Sequence, residues 1–423
     1  MAGLINIGVQ ALNANQLALD ITGQNIANVN SPGYSRQVVQ FDSRAAPELG
    51  VEVQTIARQA DSFATRQLWT DTASASGSEA FVFFSSQLDD SLANEATSIS
   101  SSMDQFFGAL QTGIDDPSSI PNREVVLAQA DALARRFNSL DTFMNRQNSD
   151  ITTKVDGLVT EAAQLAKQVA GLNEKIGFAT VRNEPANELK DQREELIRQL
   201  SEIMGVTTQS NSDDGDINIF IGNGQPLVIG NVASGLSVQG GDPDPDDLRV
   251  VVDIAGKKVE VGDELTTGEV GGLLTYREEV LVPAWNELGR LAIVFSDSMN
   301  TLHKAGMDLE SEQGINMFGD LSQVGDFRTF SENQSTMAKN PSVVFTDTTK
   351  LQASDYTITF TESDEFVIIR EGDGQQFTLS DFTQDNSDPL NQADMTYFAD
   401  PASGSLKINL DGMTLNLETN DGF

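Results

Sequence analysis

PNREVVLAQADALARRFNSLDTFMNRQNSDITTKVDGLVTEAAQLAKQVAGLNEKI, residues 121–176, decides the fold. Val126, Ala130, Leu133, Phe137, Leu140 and Met144 recur in alternating steps of four and three. After Gln147 the phase slips once, with two successive steps of four through Ile151 to Val155. The alternation resumes at Leu158 and runs through Ala162, Leu165, Val169 and Leu172 to Ile176. This is a heptad seam with one stutter, the pattern of a long helix packed along another helix. At 1.5 Å per residue it spans about 75 Å. The stutter is expected to unwind the supercoil locally, with Gln147 either a polar seam position or a solvent-facing one.

Further seams flank it. Leu189, Leu196, Leu200 and Ile203 predict a shorter helix running back antiparallel. Leu281, Trp285, Leu288, Ala292, Phe295, Met299 and Leu302 predict another, with Pro283 either kinking it or marking its first turn. Two helical stretches are expected from Asp61 to about Gly113, interrupted near Ser74–Ser78. Residues 61–325 thus read as a rod-like bundle with Leu133, Phe137, Leu140, Leu158, Leu165, Leu172, Trp285, Leu288 and Phe295 in its core. A small β unit interrupts it at 206–267, with strands such as INIFIG, PLVIG and LRVVVDI. After the linker-like SENQSTMAKNP, alternating runs such as YTITF, EFVIIR and SLKINL predict an all-β outer domain over 335–423. The expected class is α+β and multidomain: a long coiled-coil-like helical bundle with a small β insertion, followed by an all-β outer domain.

The N-terminal segment, 1–60, is a different case. Ile5, Leu12, Leu19 and Ile26 recur every seven residues, a narrow seam suited to one partner helix. Four buried aliphatic side chains contribute about 1.5–3 kcal/mol each. Ordering the backbone costs about 1–2 kcal/mol per residue. Such a helix is expected to be disordered in the monomer and to order against a partner. The pattern stops at Asn30-Ser31-Pro32-Gly33, where Pro-Gly favours a type II turn, and an extended arm follows.

The run NIANVNSPGYSRQ (25–37), after ALNANQLALDITGQ (11–24), resembles the N-terminal signature of bacterial flagellar axial proteins. GVEVQTIARQADSFATRQL (50–68), FFGAL (106–110), NELKDQREELIRQLSEIMGV (187–206), IFIGNGQPLVIG (219–230), GEVGGLLTYREEVLVPAWNELGRLA (268–292) and LQASDYTITF (351–360) are similar to the hook-associated protein 1 family among them. The resemblance covers nearly the whole chain. It implies a non-enzymatic structural subunit, exported through the flagellar type III channel without a cleaved signal, located outside the cell at the hook–filament junction. It implies hook protein, hook-associated protein 3 and further copies of the chain as partners. It makes Asn25, Ile26, Ala27, Asn28, Asn30, Ser31, Pro32, Gly33, Tyr34, Ser35 and Arg36 an axial assembly motif, with Tyr34 expected in packing and Arg36 in an intersubunit contact. In the family the chain continues beyond a position such as Phe423 into C-terminal helices that pair with the N-terminal ones and bind an export chaperone. The chain is accordingly expected to be a fragment. The alternatives are another axial subunit, of hook or rod, and an adhesin-like activity in the outer β domain.

Composition fits a structural role. There are 63 acidic and 26 basic residues, a net charge of −37, which opposes nucleic acid and anionic membrane alike. Without cysteine, disulfides and thiolate chemistry are excluded. No apolar run approaches ~20 residues, the length that spans a membrane. His303, the single histidine, reads as a helix C-terminal residue. The acidic runs NSDDGDIN (211–218) and GDPDPDD (241–247) read as solvated turns rather than calcium loops. GNGQP (222–226) precedes a strand, not the helix a phosphate loop requires. No catalytic residue, metal or cofactor is expected.

Overall fold

The computed structural model describes residues 2–44, 50–94, 98–182, 184–210, 215–245, 247–319, 327–331, 341–362, 365–385, 394–400 and 405–418. The linker residues 332–340 and residues 211–214, the start of the NSDDGDIN run, lie outside them. The fold is α+β. Two compact units form, each from several chain segments.

The first unit comprises Met1–Phe84, Ile151–Gly240 and Leu248–Tyr276. Helix α1 (Ala2–Ala27) leads into an antiparallel hairpin of β1 (Gln37–Arg44) and β2 (Gly50–Arg58), against which it packs. Helix α2 (Ser62–Ala93) begins here, and the second half of α4 (Ile120–Val181) returns through it to α5 (Asn187–Ile203). The β insertion makes two antiparallel sheets, β3 (Val206–Ser210) to β6 (Val232–Ala233) and β7 (Gly235–Gly240) to β9 (Lys257–Glu260). Helix α6 (Gly268–Tyr276) closes the unit.

The expected break at Ser74–Ser78 is absent, because α2 runs through it unbroken. That run of small residues is a packing surface. A Cβ on Gly77 would lie 2.9 Å from the Gly268 carbonyl oxygen, and Ser76 Oγ donates to the Glu202 carbonyl at 2.6 Å. Sequence propensity registered the small residues but not the helix that presses on them.

The second unit comprises Ser85–Asp150, Gly241–Asp247 and Arg277–Phe423. Helix α3 (Ile99–Asp115) starts at Ser98, whose hydroxyl accepts the Ser101 N–H. It packs on the first half of α4 and on α7 (Val282–Lys304) around Phe106, Val126, Ala130, Leu133 and Phe295, with Phe137 and Met299 against them. Pro283 stands in the first turn of α7, and a π-helical turn, Arg277–Leu281, directly precedes it. Asn300 holds the following loop, accepting the Met317 and Phe318 N–H groups at 2.8 Å.

The outer β region has a five-stranded sheet in the order β10 (Ser342–Phe345), β17 (Met413–Glu418), β16 (Ser405–Leu410), β15 (Thr396–Asp400) and β14 (Thr383–Gln384), in which only β14 and β15 are parallel. A three-stranded antiparallel sheet, β11 (Tyr356–Glu362) to β13 (Gln375–Thr378), shares its core of Phe366, Ile368, Phe377, Ile408 and Leu415.

Within α4 the stutter selects the core. Gln147 is 3% exposed, so it is a seam position. Steps of four then continue through Ile151 and Val155 to Val159, 1% exposed, in place of the expected Leu158, which is half-buried. A third step of four keeps the buried stripe turning before Ala162 restores the three-four alternation. Leu133, Leu140, Leu165, Leu172, Leu288 and Phe295 are buried, and Phe137 is half-buried. Trp285 is also half-buried, its indole Nε1 donating to Asp141 at 2.8 Å, and Leu302 is exposed.

Candidate assembly site

Helix α1 presents two faces. At 100° per residue the seam Ile5, Leu12, Leu19 and Ile26 runs along one side and Ala14 and Ile21 along the other. Ala14 and Ile21 are buried against the hairpin, with Val39 of β1. The seam stays open: Ile5 is 66% exposed, Leu12 68%, Leu19 72% and Ile26 70%. The seam alone is too narrow to hold α1. The hairpin supplies a second buried face.

The assembly motif then folds back on its own chain. Asn25 bridges the helix end to the arm, its Nδ2 donating to the Gln37 carbonyl at 2.8 Å and its Oδ1 accepting the Gln37 N–H at 2.9 Å. Tyr34 adds its hydroxyl to the same Oδ1 at 2.9 Å. Asn28 accepts from Ser31 Oγ and donates to the Gln24 carbonyl. The turn closes through Tyr34 N–H to the Ser31 carbonyl at 3.2 Å, with Gly33 at φ +76° after Pro32, the left-handed φ that type II requires. Ala27, Asn30, Ser31, Pro32 and Arg36 are exposed, and Ser35 is half-buried.

A clasp that no local sequence pattern spells out fixes this turn to α5. Ser35 N–H donates to Asp191 Oδ2 at 3.2 Å. Arg58 grips Glu194 with both terminal nitrogens, at 2.9 and 2.6 Å, and reaches Asp191 at 2.7 Å. A Cβ on Gly33 would lie 3.1 Å from Glu195 Cβ, so the turn sits directly on the helix. Burial opposes the charge on Arg58. The hydrogen bonds and charges of Glu194 and Asp191 outweigh it and hold the guanidinium above its usual value. Deeper in, Arg193 donates to Asn173 Oδ1 at 2.7 Å and to the Gly215 carbonyl at 2.8 Å. Burial pushes Arg193 down to about 10, so it remains charged at neutral pH. The one trace in the sequence is KDQREE, 190–195, whose charges interrupt the apolar spacing of a helix that has to bury one side.

Asp191→Ala removes the acceptor of Ser35 N–H and one partner of Arg58. Unfolding free energy should fall by about 1–3 kcal/mol, with faster amide exchange at Ser35. Unchanged protection at Ser35 would show that the clasp is not made in solution.

The other sequence-level candidates resolve into structure. The 241–247 loop is not a plain solvated turn: Asp247 accepts from Arg277 at 2.9 Å, Asp244 pairs with Arg328, and Asp242 accepts the Ser331 N–H at 2.8 Å. His303 lies in the last turn of α7, its Nδ1 2.5 Å from the Ile315 carbonyl oxygen. Among the described residues no helix is long and apolar enough to cross a membrane.

Residues 85–318 match the family profile described as flagellar hook-associated protein FlgK helical domain, and 5–34 match that of flagella basal body rod protein. The chain is 33% identical over 392 residues to flagellar hook-associated protein 1 of Salmonella typhimurium, covering 90% of this chain and 70% of that protein. It is 24% identical to the Bacillus subtilis protein of that name, over 95% of this chain and 80% of the other. The flagellar hook junction protein FlgK from Burkholderia pseudomallei shares the fold, with a TM-score of 0.70 and 24% identity, over 84% of this chain and 61% of that one. The length, identity and order of these matches leave one assignment: the chain belongs to the flagellar hook-associated protein 1 family.

Proposed function

We propose that this chain is a structural subunit at the junction of flagellar hook and filament, with α1 and its arm packed in the axial core. The observation that carries the reading is the two-faced α1. One face is tied to the chain's own hairpin, and four large aliphatic residues stand exposed on the other. Exposed apolar stripes of this kind mark contact surfaces. Charge agrees: residues 1–70 hold four basic and five acidic side chains, and the other 353 hold 22 and 58. A nearly neutral segment can pack closely against its copies, whereas the acidic remainder repels them and belongs at larger radius.

On this reading 1–60 lies innermost, the helices of 61–325 form the shell, and 335–423 faces outward. Hook protein, hook-associated protein 3 and further copies are the neighbours, and an export chaperone engages C-terminal helices of the kind found in the family. The chain leaves the cell without a cleaved signal peptide. A hook or rod subunit is the weaker reading, since the rod-protein match is confined to 5–34 whereas the hook-associated helical domain matches over 85–318.

The test is a peptide tag in the exposed turn 371–374 between β12 (Glu365–Arg370) and β13, with gold labelling of intact flagella. A narrow band between hook and filament is expected. Label along the hook, in the rod or inside the cell would overturn the junction role.

A further inference from the structure

A cavity of about 410 Å³ opens beside the axial arm, where the end of β2 meets the first turns of α2 and α5. Its polar walls include Arg58, Ser62, Thr65, Asn187, Lys190 and Glu194. Several of these groups are already engaged. Both Glu194 oxygens accept from Arg58. Asn187 donates to the Ile56 carbonyl at 2.6 Å, and Thr65 Oγ1 to that of Asp61 at 2.9 Å. Lys190 differs: it is half-buried, and its ammonium makes no hydrogen bond or ion pair among the described residues. The charges facing it are Arg193, Arg58 and Glu194. Burial and the two guanidiniums push its ammonium below the usual value, and Glu194 offsets only part of this. An ammonium whose charged neighbours are two guanidiniums and one carboxylate already engaged by Arg58 gains from a carboxylate arriving from outside.

We propose that this cavity is a socket for a carboxylate side chain of a second copy of this chain, bound to Lys190 when subunits pack together. The proposal rests on the axial reading above. Charge selects the occupant. Beyond residue 70 the chain carries 58 acidic side chains against 22 basic, so a neighbouring copy presents carboxylates far more often than cations. Subunits of charge −37 repel one another, and a cation fixed beside the segment that packs converts part of that repulsion into attraction.

Carbodiimide coupling joins a lysine amine to a carboxylate in direct contact. Mass spectrometry of the coupled peptides from the soluble full-length protein and from purified flagella tests the socket. The expected product is Lys190 joined to an Asp or Glu of this chain in flagella only. Coupling to Glu194 or Asp61 in both samples would reveal an intrachain partner and overturn the proposal. Coupling to a different axial protein would overturn the choice of a second copy. Uncoupled Lys190 in flagella that contain the chain would overturn the socket itself. Flagella lacking the chain would overturn the junction reading and the socket together. Lys190→Gln provides a second readout. It should leave the soluble fold as stable as before or more so, while weakening each intersubunit contact on the order of tenfold. Lys190→Arg should restore assembly. A soluble Lys190→Gln protein that unfolds more readily would mean that Lys190 serves its own chain.

Discussion

Leu19→Asp is expected to abolish incorporation into flagella while leaving the soluble protein folded. Leu19 is 72% exposed on the open side of α1, so the monomer loses little buried area. Exposed substitutions away from special features shift stability by only about 0.5 kcal/mol. Aspartate has a lower helix propensity than leucine, a loss of a few tenths of a kcal/mol within a 26-residue helix. In a packed seam the same aspartate is a buried charge without a partner. That costs several kcal/mol per contact, more than about a hundredfold in affinity, and an axial structure repeats the contact at every subunit. Circular dichroism of the monomer and the yield of chain in purified flagella measure the two halves of the prediction. Asn13→Asp, on the flank of the helix, is the control and should still assemble. Extensive unfolding of the Leu19→Asp monomer would show that the seam serves the chain's own fold.

The largest loss of stability is expected from Gly272→Ala. Helices α2 and α6 meet backbone to backbone. A Cβ on Gly272 would lie 2.0 Å from the Gly77 carbonyl oxygen and 2.8 Å from Gly77 Cα. Gly268, one turn earlier, has φ +79°, and a Cβ there would lie 2.3 Å from Met204 Cα. No side chain can rotate away to relieve such a contact, so the helices must separate. Tyr276, fully buried against Phe81 and Phe84, would lose its packing with them. The cost should be at the upper end for overpacking, about 3 kcal/mol or more, read as a lower urea midpoint. Gly171→Ala in α4 of the same unit is the opposite case, with nothing within 4 Å of the new Cβ. It should stabilise by about 0.5–1 kcal/mol through reduced backbone entropy of the unfolded chain. Equal effects of the two substitutions would rule out the close approach.

Both results depend on features that differ in how far the sequence reveals them. The seam of α1 is legible because heptad spacing is a property of one helix. The turn at Pro32-Gly33, the helices α4 and α7 and the alternating outer strands are legible for the same reason: each is written in local periodicity or local backbone preference. The glycines of GEVGG, 268–272, could be quoted from the sequence as a family match, but nothing local says which backbone approaches them.

The sequence by itself therefore determined the class of the fold and the spacing of its long seams. Tertiary structure decided where those elements meet. The stutter had a known position, yet only packing replaced Leu158 by Val159 in the core. Arg58 and Glu194 stand 136 residues apart, and their pairing depends on how a strand end and a helix turn come together. Periodicity records what one element needs to bury. Charge pairs, backbone crossings and cavities depend on the register between elements, which only the folded chain defines.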